Sequence, residues 1–248
     1  MYLSKKTTIT VSDNEAIVLG HMAYAASKLW NVANYQKRNY KELGLTSFPN
    51  GYDQNVSLKN SLWYKSLPSQ TAQYCLKTLH DSWKSYFKLL KTKGIQNPRP
   101  PRYKRDVIPF VFIQNGFKKM EGDTFRFSIS KQLKLYLQEK FGIEYDYLFL
   151  KIKCFSELST IKQIQFEKIA PNRFSVIATY KVDDIEFTLP TSGTYIVYLE
   201  NGNISCTRVE GQKKYYIDFG NGIKQELILN TSFPPDNKCF NSILLFFK

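Results

Sequence analysis

A run of positive charge is the first feature of this chain that could do chemistry. Residues 84–105 contain eight Lys or Arg side chains and no acidic one. Cationic side chains that neutralise phosphates release bound counterions, so such a run favours a polyanionic partner. We predict that the run contacts nucleic acid, and its candidate residues are Lys84, Lys88, Arg99, Arg102, Tyr103, Lys104 and Arg105. A solvated helix end followed by a linker is the alternative interpretation.

Two amide side chains, Gln70 and Gln73, precede this basic run. An amide side chain can hydrogen-bond to a base edge, adenine especially, when the N-terminus of its helix points into a duplex groove. We therefore predict that both glutamines read bases. A polar first turn that faces water is the alternative.

A single carboxylate, Asp218, ends an apolar segment that starts at Tyr215, and Gly220 follows it closely. Mg²⁺ prefers hard oxygen ligands, and a two-metal nuclease uses an Asp in this position as its first metal ligand. The glycine lets backbone or phosphate approach closely. Asp218 is therefore the candidate catalytic and metal-binding residue, with an ordinary turn at the end of a strand as the alternative.

Zinc chemistry and a disulfide framework are not expected. The cysteines are far apart in the sequence, form no C-x-x-C pair, and have only two histidines to join them. Free thiols in a reducing compartment fit this pattern better. The residues concerned are Cys75, Cys154, Cys206, Cys239, His21 and His80.

The composition also favours a polyanionic partner. The 248 residues include 35 basic and 21 acidic side chains, which gives a formal charge of +14. A hydrophobic fraction of 43%, with 18 Phe, 17 Tyr and 3 Trp, is ample for the core of one large domain or two small ones. The sequence has no signal peptide and no apolar run of membrane-spanning length. We therefore expect a cytoplasmic, nucleoid-associated protein with no membrane partner.

A long helix is predicted to carry the two glutamines and the start of the basic run. Ser69 can cap its first turn, Leu67 can pack onto that turn as a hydrophobic staple, and Gly94 is a suitable C-cap. Apolar residues at helical spacing form one stripe along it, namely Ala72, Leu76, Leu79, Trp83, Tyr86, Phe87 and Leu90. The Pro-rich residues 97–105, called the basic loop below, can form neither a helix nor a central strand.

The chain begins with a predicted half-buried strand at residues 3–11 and a capping box from Ser12 to Glu15. A helix is then expected to run to about Leu43 and to stop at Gly44. Its apolar stripe is Val18, Met22, Ala25, Leu29 and Ala33. Its other face carries Lys28, Trp30, Asn31, Asn34, Tyr35, Lys37 and Arg38. These side chains would lie along a phosphate backbone or face solvent. A loop at 48–55 and a short helix at 57–65 complete the helical region.

After Arg105 the pattern changes to short β-rich runs. We predict strands at residues 107–114, 124–129, 146–154, 162–168 and 173–182, interrupted by one helix at 131–141. This spacing is typical of a small barrel or sandwich, to which the N-terminal strand would return. A linker at 183–190 then precedes strands at 194–199, 204–209 and 213–219, with a hairpin turn at Asn201-Gly202.

Five segments of the chain follow one another in a characteristic order. The first is residues 67–73, and the second is the helix that carries Leu76, Leu79, Trp83 and Phe87. The remaining three are Pro101-Arg102-Tyr103-Lys104, the strand pair around residues 164–180, and Ile217-Asp218-Phe219-Gly220. In this order they resemble the N-terminal part of the TnpB (OrfB) family, transposon-encoded proteins related to type V CRISPR nucleases. The family has Pro-Arg-Phe-Lys at the third segment and Ile-Asp-Leu-Gly, the first acidic motif of its RuvC-like nuclease, at the fifth. The resemblance extends to about Asn230.

The resemblance implies an α+β fold. In the family, a helical recognition lobe is inserted in a small wedge barrel of the OB-like type, and a RuvC-like domain of RNase H type follows. The corresponding parts would be the first wedge strand at residues 1–12, the recognition lobe at 13–105, the wedge barrel at 106–183, and a linker with an incomplete RuvC-like segment at 184–248. The implied partners are a transposon-derived guide RNA and a double-stranded DNA target, and the implied cofactor of the nuclease is Mg²⁺.

The sequence departs from the family at the nuclease. Asp218 has a match, whereas the family's Glu, its final Asp and its zinc ribbon would lie beyond Lys248. We therefore expect a truncated TnpB-like protein that binds RNA and DNA, does not cut DNA alone, and by itself needs no cofactor. Two alternatives stay open, which are half of a split nuclease completed by a second polypeptide and a generic basic RNA-binding protein.

Overall fold

A computed structural model of the chain describes residues 2–92 and 95–182 in full, and the backbone of four further strands at 194–200, 203–209, 215–218 and 224–227. The fold is of the mixed α+β class. The chain divides into two compact units, one of which is Tyr2–Lys181 and the other of which contains Val182–Lys248. All side-chain geometry below belongs to the first unit.

The helices of the described residues follow local sequence signals. They are α1 (Asp13–Arg38), α2 (Gly51–Leu58), α3 (Leu62–Lys65), α4 (Ser69–Thr92) and α5 (Lys131–Phe141), with one 3₁₀ turn at Lys153–Phe155. The capping box of α1 is confirmed, because Ser12 Oγ accepts from the Glu15 amide and the Ser12 amide donates to Glu15 Oε2. None of these helices is both long enough and apolar enough to cross a membrane.

The strands of the first unit form two sheets. They are β1 (Tyr2–Thr10), β2 (Phe110–Ile113), β3 (Phe117–Lys119), β4 (Thr124–Ser128), β5 (Tyr147–Lys151), β6 (Thr160–Ala170) and β7 (Arg173–Lys181). One antiparallel sheet has the order β1-β7-β6-β2, and the other has the order β3-β4-β5. The predicted return of the N-terminal strand is confirmed, since Tyr2 lies opposite Lys181 and Thr10 opposite Arg173. In sequence, α1 to α4 are therefore an insertion between β1 and the rest of its sheet.

A core of phenylalanines joins the two sheets. The Phe127 ring of β4 lies 4.9 Å from the Phe112 ring of β2 and 5.1 Å from the Phe166 ring of β6. All three side chains are fully buried, together with Phe125 and Phe174. The Phe127 and Phe166 rings meet edge to face, and such aromatic pairs add to the free energy gained by burying their apolar surface.

The helical part has a second region of core between α1 and α4. The predicted stripe of α1, from Val18 to Ala33, is buried, as are Leu76 and Leu79 of α4. The predicted apolar stripe of α4 is partly exposed towards the C-terminal end of the helix, where Phe87 is 38% and Leu90 47% exposed. The last turns of α4 thus present apolar surface outside the core.

Several predicted boundaries are wrong. The first helix ends at Arg38 rather than near Leu43, and turns lead from there to Gly44, whose φ of +70° places it in the left-handed region. Ser69 is the first residue of α4 and lies inside its first turn rather than capping it. The predicted C-cap Gly94 lies outside the described residues.

The loop at 48–55 and the helix at 57–65 are also wrong. The Asn50 side chain accepts hydrogen bonds from the amides of Tyr52 and Asp53 and begins α2 at Gly51. Ser61 then starts the separate helix α3 through a bond from the Tyr64 amide. Neither of these capping residues nor the three-residue strand β3 is predicted from the sequence.

The second unit contains a four-stranded mixed sheet. Its strands are β8 (Thr194–Glu200), β9 (Asn203–Val209), β10 (Tyr215–Asp218) and β11 (Lys224–Leu227), in the order β11-β10-β8-β9. Glu200 lies opposite Asn203, as expected for a hairpin between β8 and β9. The predicted turn residues Asn201 and Gly202 and the predicted linker at 183–190 lie outside the described residues.

Candidate nucleic-acid interface

The basic loop is fixed to the polar face of α1 through its own backbone. The Asn34 side chain donates to the Pro101 carbonyl at 3.0 Å, and Arg38 donates to the same oxygen at 2.6 Å. The Trp30 indole donates to the Arg102 carbonyl at 3.1 Å. A Pro-rich segment cannot pair its own carbonyls in a helix or a sheet, so these side chains take the place of secondary structure.

Asn31 extends this clamp to the end of the loop. Its Nδ2 donates to the Lys104 carbonyl and its Oδ1 accepts from the Lys104 amide, both at 2.7 Å. One amide side chain thereby satisfies both backbone groups of Lys104, as a neighbouring strand would. The loop is therefore held along its second half, from Pro101 to Lys104.

Asn34 links the loop to α4 as well as to α1. Its Oδ1 accepts a hydrogen bond of 2.9 Å from the indole nitrogen of Trp83, which lies on α4. Asn34 is fully buried, and Trp83 is 6% exposed. The basic loop, α1 and α4 are therefore joined at one buried amide.

These contacts correct part of the hypothesis for the polar face of α1. Asn34 and Trp30 are buried and hold the loop, so they do not lie along a phosphate backbone. Lys37 is also buried, where its ammonium donates to the Pro49 carbonyl and lies 4.8 Å from the centre of the Phe48 ring. Burial lowers the pKa of Lys37 to about 8, against an opposing effect of Asp53.

The clamp leaves the charged side chains of the loop outside. Arg99, Arg102, Lys104 and Arg105 are exposed, as is Tyr103. Among the described residues, no carboxylate lies within ion-pair distance of these four cations. Lys104 and Arg38 lie 4.9 Å and 5.1 Å from the centres of the Trp30 and Tyr103 rings, respectively. The loop thus presents unneutralised positive charge on a fixed backbone.

The two predicted lysines of α4 extend this surface. Lys84 and Lys88 are exposed and, within the described part of the chain, have no acidic partner. The neighbouring residues Trp83 and Phe87 line the same cleft as Tyr103 of the loop. The C-terminal half of α4, which carries these two lysines, therefore lies beside the loop through Trp83 and Phe87.

The two predicted glutamines belong to a different surface. Gln70 and Gln73 lie at the start of α4, and with a rise of 1.5 Å per residue Gln70 is about 27 Å along the helix from Lys88. They line a cleft of about 810 Å³ between the N-termini of α4 and α5. Lys59, Lys65 and Lys131 also line it, and no acidic residue does. Gln73 is exposed, whereas Gln70 Oε1 is buried without a hydrogen-bond partner among the described residues.

This cleft combines polar side chains with the positive ends of two helix dipoles. The N-terminus of α5 is capped by Ser130, which accepts from the Leu133 amide, and it lies on the same cleft as that of α4. Helix N-termini and lysines both favour an anion. The arrangement can therefore hold phosphate close to the glutamine amides.

Asp218 lies in the other unit, at the end of the described part of β10. Ile217 and Asp218 pair in parallel with Val197 and Tyr198 of β8, and Asp218 pairs with Lys224 of β11. The described part of the chain holds no cluster of three His, Cys, Asp or Glu side chains that could bind a metal. Cys75 and Cys154 are free thiols.

The residues that organise the loop are not predicted to do so from the sequence. The predicted face of α1 does carry Asn31, Asn34 and Trp30, but the prediction is that they contact phosphate or solvent. In the structure they bond to the backbone of the loop. The sequence does carry a signal for this role. Trp30 and the amide residue Asn34 lie one helical turn apart on the face opposite the apolar stripe, where an indole ring is unusual. Comparison with models of known protein families and with curated proteins finds no match for this chain.

Proposed function

We propose that this chain is a nucleic-acid-binding protein of the TnpB type, which holds a guide RNA and a double-stranded DNA target. The observation that carries the proposal is the basic loop, in which Arg99, Arg102, Lys104 and Arg105 stay unpaired while the backbone is clamped to α1. A backbone that is already fixed from Pro101 to Lys104 suits a phosphate partner, because little backbone entropy is lost there on binding.

The order of elements supports the same assignment. On this proposal, α1 to α4 are the recognition lobe, and β1 with the two sheets of the first unit is the OB-like wedge. The strands β8 to β11 would be the start of a RuvC-like domain. The two surfaces would then contact different nucleic acids. The basic loop and the end of α4 would contact the RNA, and the cleft lined by Gln70 and Gln73 would lie near the target duplex.

The proposal assigns binding rather than cleavage to these residues. A two-metal site needs several carboxylates around a metal pair, and Asp218 is the one acid whose surroundings resemble the family's motifs. Mg²⁺ releases its waters reluctantly, so a single carboxylate would bind it weakly.

A second candidate function is half of a split nuclease. It is favoured by the position of Asp218 on β10, a strand with neighbours on both sides. A second polypeptide would supply the other carboxylates. A neighbouring reading frame with those acids and with C-x-x-C pairs would favour this candidate over the first.

The test of the main proposal is the salt dependence of binding. Changing Arg99, Arg102, Lys104 and Arg105 to Ala should weaken RNA and DNA binding broadly and flatten the plot of log affinity against log salt. Each lost phosphate contact is worth about 0.7 of a unit on single strands and about 0.9 on duplex DNA. Sequencing of RNA that co-purifies with the chain then separates a guide RNA from nonspecific RNA.

A charge-matched variant controls for the loss of net charge. Changing Lys118, Lys151, Lys153 and Lys181 to Ala also removes four exposed cations, all of them on the strands or beside them. We expect a smaller change of slope from this control. An equal slope in the loop variant and the wild type would assign the loop cations to solvent and contradict the proposal.

A further inference from the structure

A second cleft lies beside the basic loop, and aromatic rings form most of its wall. Its cavity of about 710 Å³ lies between the end of α1, the last turns of α4 and the loop. The rings that line it are Tyr40, Phe48, Trp83, Tyr86, Phe87 and Tyr103. A volume of this size is within the range of roughly 300–1,000 Å³ that is typical of small-ligand sites.

The Phe48 ring contacts three of the other rings of this cleft. The Phe48 ring meets Trp83, Phe87 and Tyr40 edge to face, with centroid distances of 5.3, 5.2 and 5.7 Å. Trp83 is fixed by its hydrogen bond to Asn34. A flat partner therefore meets a preformed wall, and rigid aromatic side chains lose little entropy when they stack.

Two of the rings keep free surface at the mouth of the cleft. Phe87 is 38% and Tyr103 46% exposed, so both rings have surface that a partner can reach. The Arg38 guanidinium lies 5.1 Å from the centre of the Tyr103 ring. Exposed rings with an arginine beside them are the arrangement in which proteins stack unpaired bases.

The charge around the cleft identifies the kind of occupant. No acidic residue lines it, and Lys37 and Arg38 do. In the sequence, Tyr103 is flanked by Arg102 and Lys104, and Phe87 is followed by Lys88. All three cations are exposed. A flat, apolar ring that carries negative charge on its backbone is complementary to such a site, and a nucleotide unit of a polynucleotide has both properties.

We propose that this aromatic cleft binds one unpaired base of a single-stranded polynucleotide, stacked on Phe87 and Tyr103, with the adjoining phosphates at the basic loop and Lys88. The site rests on the proposed nucleic-acid binding and adds to it a preference for bases that are not paired. Stacking accepts any base, so the cleft discriminates strand state rather than sequence.

The experiment compares strands with and without bases. The probes are end-labelled oligouridine and oligodeoxyuridine, each with a counterpart of equal length and charge in which every position is abasic. Affinity is measured by fluorescence anisotropy at one salt concentration. We expect the wild type to bind the strands that carry bases about 5-fold to 150-fold more tightly than the abasic ones, as one stacked base implies. The ribose and deoxyribose probes distinguish an RNA from a DNA occupant.

Leucine variants test whether this cleft provides the preference. Tyr103→Leu, and Phe87→Leu combined with it, keep apolar volume but remove the flat faces. Affinity for the base-bearing strands should therefore fall more than affinity for the abasic strands, and the ratio of the two affinities should fall towards one. Both rings are partly exposed, and a thermal melt checks that the variants fold. Tyr52→Leu is the matched control, because Tyr52 is 77% exposed on α2 outside the cleft.

The outcomes separate this proposal from the proposed function. Equal wild-type affinity for base-bearing and abasic strands, or an undiminished preference in both leucine variants, overturns the stacking site while nucleic-acid binding stands. Failure of the wild type to bind any of the four probes overturns both. Loss of the preference in the leucine variants but not in Tyr52→Leu supports the site.

Discussion

Asn34 provides the sharpest test of how the candidate interface is built, because one uncharged side chain joins α1, α4 and the basic loop. We predict that Asn34→Leu, which keeps the number and branching of the side-chain heavy atoms, lowers both the stability of the first unit and its affinity for nucleic acid. The variant removes the donor to the Pro101 carbonyl and the acceptor for the Trp83 indole.

The magnitude follows from what each partner keeps. The Trp83 indole would be left buried without an acceptor, which costs about 1–3 kcal/mol. The Pro101 carbonyl still accepts from Arg38, so its loss is that of one ordinary hydrogen bond, about 0.5–1.5 kcal/mol. The free energy of unfolding should therefore fall by about 1.5–4.5 kcal/mol. For a unit of this size that corresponds to a decrease in melting temperature of about 3–18 °C.

The effect on binding comes from the loop. Loss of one anchor makes the loop more mobile, and its ordering then opposes binding by about 0.5–1.5 kcal/mol. Affinity for single-stranded RNA should fall about 3-fold to 10-fold without any change of charge, and the salt slope should stay as in the wild type. Calorimetry and anisotropy titrations measure the two effects.

Two controls define the result. Asn60→Leu changes an exposed asparagine and should alter stability by less than about 0.5 kcal/mol. Asn31→Ala removes the acceptor of the Lys104 amide, so hydrogen exchange at Lys104 should become faster with little loss of stability. A stability of Asn34→Leu equal to that of Asn60→Leu would refute the buried junction. A loss of stability without a loss of affinity would refute the preorganised loop.

Three further predictions concern other parts of the chain. Burial lowers the pKa of Lys37 from its ordinary value of 10.5 to about 8, so the unfolded state binds more protons between these pH values. The free energy of unfolding should therefore rise with pH across this window, and denaturant titrations of Lys37→Met should lack this rise. Gln73→Ala should reduce discrimination among duplex motifs in a selection on randomised DNA more than it reduces total binding, and an unchanged preference would assign Gln73 to solvent. The purified chain with its own RNA and Mg²⁺ or Mn²⁺ should not cut a matched target, and cutting that disappears in Asp218→Ala would contradict the assignment of binding alone.

Local sequence patterns were enough for much of the secondary structure. The bounds of α5 agree with the predicted residues 131–141, and the Ser12 to Glu15 capping box starts α1 as expected. The alternation of β1 also agrees, since its odd-numbered residues from Leu3 to Ile9 are the half-buried ones. These features depend on contacts within a few residues, which the spacing of apolar and capping residues determines. The predicted helix at 57–65 is wrong because it omits two caps in that region, Asn50 for α2 and Ser61 for α3.

The sequence by itself determined which residues carry charge, aromatic surface and amide groups, and where the helices that hold them lie. Only the tertiary structure decided which of these groups remain available. Asn34 and Arg38 are polar residues one helical turn apart on α1, and both donate to the Pro101 carbonyl. Because Pro101 is more than sixty residues away in sequence, no local pattern indicates this partner. The aromatic cleft also depends on long-range packing. Phe48, Phe87 and Tyr103 line one cavity although they are far apart in the sequence. Periodicity reports the face of a helix, whereas the choice between a phosphate and a backbone carbonyl is made by long-range packing.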